Sequence, residues 1–299
     1  MELRQLQYFV AVARHGGFTR AAEQLWITQS ALSQQVRRLE AELGVALLHR
    51  SAHGAELTPA GEELLARAEA ILGEVERARA ALDRHAGAVR GRVRVAATTG
   101  DAPWLPATLA AFHHAHPRLQ LALRHAGAAE AAGLVARGAV DLAVAGLDGP
   151  VPAGVAATLL AEEPMCALLA PDDPLAGAGP LRLEDLRGRA FILAEPGTAL
   201  RETVMAACQR AGFSPVPLFE LSDPATARQL AHGGLAVSVV PASWLALPGP
   251  AVGRAALAPP APRHRVEALT PAAGPSPAAA LLLEALRTVP SEDGGELLA

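Results

Sequence analysis

Gln29, Ser30, Ser33, Gln34 and Arg37 recur at i, i+3/i+4 spacing, with Leu32, Val36 and Leu39 between them. On a helix this puts the five polar side chains on one face and the three apolar ones on the other. Glutamine can bond adenine through two hydrogen bonds, serine can reach a base or a phosphate, and arginine can reach guanine or a phosphate. The row therefore has the groups needed to read base edges in a major groove; the plainer reading is a solvated polar face. Arg50 and Thr58 are candidate phosphate contacts, Thr58 also through the N-terminus of the helix it opens. Arg50 reads equally as a surface charge, and Thr58 before Pro59 is in any case a good helix cap.

A second group lies further on. Thr98-Thr99-Gly100, Thr198 and Ser222 each follow a strand-like run, and Thr198 and Ser222 directly precede helical stretches. In open α/β sheets ligands sit at the carboxyl ends of strands. Hydroxyls and free N–H groups there suit a small anion; helix capping is the alternative for Thr198 and Ser222. Trp104 and Trp244 either flank that cleft or pack in a core. His113, His114 and His116 precede Pro117 near a helix end, where histidine suits the helix dipole, and no cysteine or acid cluster joins them, so no metal is expected. Cys166 in an apolar strand reads as buried and inert. There is no Gly-x-Ser-x-Gly elbow, no Walker loop and no flagged carboxylate pair, so neither an enzyme nor a cofactor is expected.

These residues need elements to hold them. Leu3, Leu6, Phe9, Val10 and Ala13 form a helical stripe that stops at Gly16-Gly17. Phe18 to Leu25 makes a second short helix, and Thr28 caps a third that stops at Gly44. Two short helices across a brief connection, in a three-helix unit, have the form of a helix-turn-helix. Val45 to Leu57, with Gly54, is expected to form a hairpin or wing. A helix from Pro59 to about His85 carries Leu64, Ala68, Ile71, Val75, Ala78 and Leu82 in heptad steps, which suits a dimerising linker; packing on its own domain is the alternative. After Gly91 strands alternate with helices, as in an α/β fold with mostly parallel sheets. Residues 290–299 read as a frayed tail.

Composition narrows the class. The chain has 299 residues, 51% hydrophobic and 19% charged, which excludes intrinsic disorder. No apolar run approaches a membrane span. The start shows no basic-then-apolar leader and there are two cysteines, which points to the cytoplasm. Lysine is absent and alanine abundant, read here as coding bias. Residues 1–90 carry 11 Arg and 11 acids, residues 91–299 carry 15 Arg and 19 acids. The N-terminal part is thus neutral, and net charge alone is a weak signal for DNA.

Phe18-Thr19-Arg20-Ala21-Ala22-Glu23-Gln24-Leu25, Thr28 through Glu40, Glu42-Leu43-Gly44, Arg50 and Leu57-Thr58-Pro59-Ala60-Gly61 together resemble the N-terminal domain of LysR-type transcriptional regulators. Asp141-Leu142-Ala143-Val144, Asp172-Asp173-Pro174-Leu175, Leu183 through Gly188 and Gly234 through Pro241 resemble later landmarks of the same family. The resemblance implies a winged helix-turn-helix over 1–58, a linker helix over 59–88 and an effector-binding domain over 91–299. That domain is expected to be a two-lobed α/β fold, similar to type 2 periplasmic binding proteins. Lobe I would take about 91–162 and 267–299, and lobe II about 163–266. It further implies a homodimer or homotetramer on an inverted-repeat promoter site of double-stranded DNA, modulated by a small-molecule effector, often an anion. Gly17, Leu48 and Ala236 stand where the family often has Ser, Phe and Gly. Cys208 matches a cysteine of the peroxide-sensing branch, but its partner position is Ala199, so that switch is not expected. Rival readings are a solute-binding module or enzyme on the two-lobed domain, and a regulator without an effector.

Overall fold

A computed structural model describes residues 1–51, 54–83, 91–147 and 149–288. The expected tail at 290–299 lies outside them. The chain divides into two compact units: residues 1–88 with 137–139, and the remainder. Each is described by itself.

In the first unit α1 (Leu3–His15), α2 (Phe18–Gln24) and α3 (Gln29–Leu43) precede a hairpin of β1 (Leu48–Ser51) and β2 (Gly54–Leu57), then α4 (Pro59–Asp83). The stripes meet as their spacing requires: Leu6, Phe9, Val12, Ala21, Leu32, Val36, Leu39 and Ala68 bury together. One carboxylate ties the hairpin to α3, since Glu40 Oε1 accepts from the backbone N–H groups of Leu47 at 2.9 Å and Leu48 at 3.2 Å. Helices α1 and α3 end as expected, on left-handed Gly16 (φ 64°) and Gly44 (φ 71°). Helix α2 ends differently. Trp26 N–H donates to Glu23 O and Ile27 N–H to Ala22 O. This is the paired Schellman closure, and its left-handed position, φ 55°, is held by Trp26. A non-glycine residue there costs about 1–2 kcal/mol.

The second unit follows the expected alternation with one correction. Strands β3 (Gly91–Ala97), β4 (Leu119–His125) and β5 (Leu142–Ala145) are parallel, with α5 (Leu105–Ala115) and α6 (Ala128–Ala136) as crossovers. Then β6 (Val155–Leu169) runs for 15 residues, beginning well before the strand that the sequence pattern marks at Cys166. Beyond it come β7 (Ala190–Leu193), α7 (Ala199–Arg210), β8 (Val216–Glu220), α8 (Pro224–His232), β9 (Ser238–Pro241), β10 (Gly253–Ala256), β11 (Arg263–Pro271) and α9 (Pro277–Arg287). β11 pairs antiparallel with both β5 and β6, and β6 pairs antiparallel with β9 and β10. The large sheet is therefore mixed, not mostly parallel; only β3–β4–β5 and the separate β7–β8 pair fit the expectation. The reason is that β6 is long enough to serve two cores, and β11 returns antiparallel alongside it. One holds Val93, Val95, Leu142, Leu160, Val266 and Leu282, and the other holds Met165, Leu168, Phe191, Val204, Val239 and Trp244.

Among the described residues no helix is long and apolar enough to cross a membrane.

Candidate DNA-reading and effector sites

On α3 the outward row is Gln29, Ser30, Gln34 and Arg37, all exposed. Thr28 caps the helix: its hydroxyl accepts from Ala31 N–H at 3.3 Å and lies 3.1 Å from Ser30 Oγ. Arg37 Nε donates to Ser33 O at 3.3 Å, leaving the rest of its guanidinium outward. Ser33 departs from the expected row. It is only 6% exposed and sits on the flank that turns toward Leu32 and Val36. The i, i+4 pattern from Gln29 places it at the boundary between faces, and a side chain as small as serine is covered there by its neighbours.

Thr58 is also turned inward, 6% exposed. Its hydroxyl donates to Ala46 O at 2.7 Å and accepts from Gly61 N–H at 3.0 Å. The hydroxyl's proton is thus taken, and the side chain caps α4. The side chain of Arg50 lies outside the described residues, although its backbone pairs with Ala55 in the hairpin. The heptad seam divides. Ala68 is buried against its own helix-turn-helix core and Leu64 packs partly there, while Ile71 is exposed and Val75 half-buried. The side chain of Leu82 lies outside the described residues.

In the second unit the five effector candidates gather on the loops that follow β3, β7 and β8. Gly100 (φ 87°) makes the closest approach. A Cβ there would stand 2.6 Å from Ser222 O and 3.0 Å from the Trp244 ring, so only glycine fits. Its carbonyl accepts from Trp244 Nε1 at 2.8 Å. Trp244 is thus a core residue, as the packing reading has it, with its polar tip bonded to the loop after β3. Thr198 Oγ1 donates to Glu195 O at 2.8 Å and accepts from Arg201 N–H at 3.3 Å. Ser222 Oγ accepts from Glu195 N–H at 3.3 Å. Both hydroxyls clasp the Glu195 backbone; Thr198 is the cap of α7, while α8 is capped by Asp223 rather than by Ser222. Thr99 Oγ1 lies 3.4 Å from His125 Nδ1. Thr98 is the exception: it is buried, and its Oγ1 has no hydrogen-bond partner.

Sequence reasoning missed two groups under these loops. Asp101 and His264 are 2% and 1% exposed, with His264 Nε2 3.3 Å from Asp101 Oδ1. Asp101 Oδ2 accepts from Gly146 N–H at 2.7 Å, joining the end of β5 to the β3 loop. More than half the chain separates Asp101 from His264, and no local spacing signals such a pair.

The thiols are quiet. Burial pushes the Cys166 thiol up to about 12, helped by the nearby Glu163 carboxylate, and burial pushes Cys208 up to about 11. A raised thiol disfavours the thiolate that redox chemistry uses. The partner position at the start of the same helix, Ala199, is buried and has no sulfur. His114 Nδ1 lies 2.7 Å from Ala110 O, and the His116 ring packs tilted on Phe112 with centroids 4.7 Å apart. Among the described residues no three His, Cys, Asp or Glu side chains gather as a metal site would.

Residues 3–62 match the model of the bacterial regulatory helix-turn-helix proteins of the lysR family, and residues 86–291 match the LysR substrate binding domain. The chain belongs to the LysR family. This LysR regulator is 33% identical over 247 residues to the HTH-type transcriptional regulator CfxR of Cupriavidus necator, covering 83% of this chain and 78% of that one. It superposes on a full-length OxyR point variant from Pseudomonas aeruginosa with a TM-score of 0.81 at 27% identity, covering 96% and 95% of the two chains. Full-length CbnR complexed with its target DNA gives a TM-score of 0.70 at 27% identity, covering 96% of this chain and 99% of that one. The protein is thus a transcriptional regulator with a DNA-binding helix-turn-helix and an effector-binding domain, and not an enzyme.

Proposed function

We propose that Gln29, Ser30, Gln34 and Arg37 are the base- and phosphate-contacting side chains of this regulator, with Arg50 on the wing reaching the phosphate backbone. The observation that carries this is the exposed polar row along α3, which begins at the helix's N-terminal end. In a helix-turn-helix that end meets the base edges. CbnR, a structural relative, is seen on its target DNA. Two copies of α3 in a homodimer, or in a dimer of dimers, would enter successive major grooves of an inverted repeat, about 34–36 Å apart. The exposed Ile71 and the half-buried Val75 support pairing of α4 with a second copy along the seam of Leu64, Ala68, Ile71, Val75 and Leu82. The unit boundaries are proposed as 1–58 for the DNA reader, 59–88 for the linker helix and 91–299 for the effector domain. Its lobe I comprises about 91–162 and 267–299, and lobe II about 163–266. The protein is proposed to act in the cytoplasm.

The effector is proposed to seat among Thr98, Thr99, Gly100, Thr198 and Ser222. Support comes from the free, buried Thr98 hydroxyl and from the tight approach of Gly100 to Ser222, where a Cβ would stand 2.6 Å from the Ser222 carbonyl oxygen. The same approach makes this site the natural place for two lobes to close. A ligand that favours one degree of closure shifts the population of lobe arrangements, and through it DNA binding. Footprinting on the protein's own upstream DNA across a salt series tests the reading. A two-part protected site, with affinity falling steeply as salt rises, is expected. Folded protein that protects no discrete site, with or without candidate ligands, would sink it.

A further inference from the structure

The turn between α2 and α3 holds a conflict between residue and backbone. Trp26 occupies the left-handed position of a Schellman closure, φ 55°, which glycine fills at the ends of α1 and α3. For a bulky side chain this conformation is a true outlier, and such strain collects where a surface has work to do. Burial does not compensate it. The ring is 94% exposed, the most open large apolar side chain among the described residues. The fold therefore gains nothing from tryptophan here that glycine or asparagine would not supply better. The residues on either side, Leu25 and Ile27, do pack into the core, which pins the Trp26 backbone and aims its side chain away from the protein.

The direction matters. Trp26 stands two residues before the Thr28 cap of α3 and three before Gln29, beside the end of the helix that leads into the groove. We infer that Trp26 is a DNA-contacting residue, its indole laid against the sugar–phosphate wall of the groove that α3 enters, with Nε1–H donating to a phosphate oxygen. Such a contact positions the reader and carries no base information. Its exposed neighbours Glu23, Gln24, Thr28, Gln29 and Ser30 include one charge, and that is an acid. The contact thus works by apolar cover and a neutral hydrogen bond. It releases no counterion, so its loss should lower affinity by the same factor at every salt concentration.

The inference rests on the DNA-reading role of α3, and the two fail differently. Operator and random-sequence duplexes are titrated with wild type, Trp26→Gly and Arg37→Ala over a salt series. Trp26→Gly suits the left-handed backbone, so it should melt no lower than wild type. It is expected to weaken binding to both duplexes by about tenfold, a loss typical of an aromatic contact, with an unchanged salt slope. Trp26 is also the sole tryptophan of residues 1–90, Trp104 and Trp244 being later in the chain. The emission that wild type has and Trp26→Gly lacks should become shielded from acrylamide when duplex is added. Wild-type affinity in Trp26→Gly, or an indole as open to acrylamide in the complex as in free protein, overturns the inference while leaving the α3 reading intact. Intact DNA binding with lost transcriptional activation also overturns it, and moves the indole to a protein partner. If Arg37→Ala and wild type bind alike at all salts, it is the α3 reading that fails.

Discussion

The DNA-reading unit and the effector unit keep their candidate side chains in opposite conditions. On α3, Gln29, Ser30, Gln34 and Arg37 point to solvent, with their polar groups largely uncommitted. In the cleft, Thr198 and Ser222 commit their hydroxyls to the Glu195 backbone, and Gly100 is pressed against Ser222. A convex helix must offer free donors to a partner that arrives from outside. A cleft made of loops must first hold those loops together, because every buried backbone group needs a partner. These loops therefore keep few side-chain groups free, Thr98 Oγ1 among them.

The contrast can be broken at its base by unfolding one unit. Phe9, fully buried in the first unit's core, should cost about 3–5 kcal/mol when changed to alanine. Calorimetry is expected to show the DNA-reading unit melting early, with the effector unit's transition in place. A joint downward shift of both transitions would show that the units do not fold separately.

A smaller effect sharpens the outward face. Arg37→Ala should weaken operator binding by about 1–3 kcal/mol without lowering the melting temperature. A reduced salt slope would mark Arg37 as a phosphate contact, and relaxed discrimination at one base pair would mark it as a reader. A lower melting temperature with DNA binding unchanged would make Arg37 a structural residue.

Thr58 tests the same contrast from the inward side. Since its hydroxyl is taken by Ala46 O and Gly61 N–H, Thr58→Ala should destabilise the unit by about 1 kcal/mol, and Thr58→Ser should restore it. If Thr58→Ala binds DNA poorly at full stability, the hydroxyl is a phosphate contact after all.

The smallest effect concerns the exposed cap of α8. Hydrogen bonds from the Thr226 hydroxyl and the Thr226 backbone N–H hold the Asp223 carboxyl below its usual range. A depressed carboxyl contributes stability above its unfolded value and loses it as pH falls through the lower folded value. Wild type should therefore lose more effector-unit stability on acidification than Asp223→Asn. Parallel acid curves for the two proteins would show that the cap carries no charge-linked stability.

Much of the first unit is legible in the sequence because its forces are local. The stripe of Leu6, Phe9 and Val10, the stops at Gly16 and Gly44, and the Thr28 cap all act within a few residues, and the helices end where these signals stand. Ser33 is the exception: at the edge between two faces, spacing does not decide burial. In the effector unit the strands are legible but their pairing is not. Nothing local states that β6 begins at Val155, since its first residues alternate only loosely and become a strand by pairing with β11. That long strand, with β11 pairing antiparallel to both it and β5, turns an expected parallel sheet into a mixed one.

From the sequence alone came the helix-turn-helix, the capped linker helix, the α/β alternation and the family. Each rests on periodicity, capping or a run of residues that stand together. Tertiary structure alone decided that Thr58 faces inward and that Ala68 is absorbed by its own core. It also decided that Asp101 meets His264, and that Trp26 stands in solvent on a backbone suited to glycine. These depend on which distant surfaces close over a residue, and burial by a distant neighbour leaves no mark on the spacing of the residues around it.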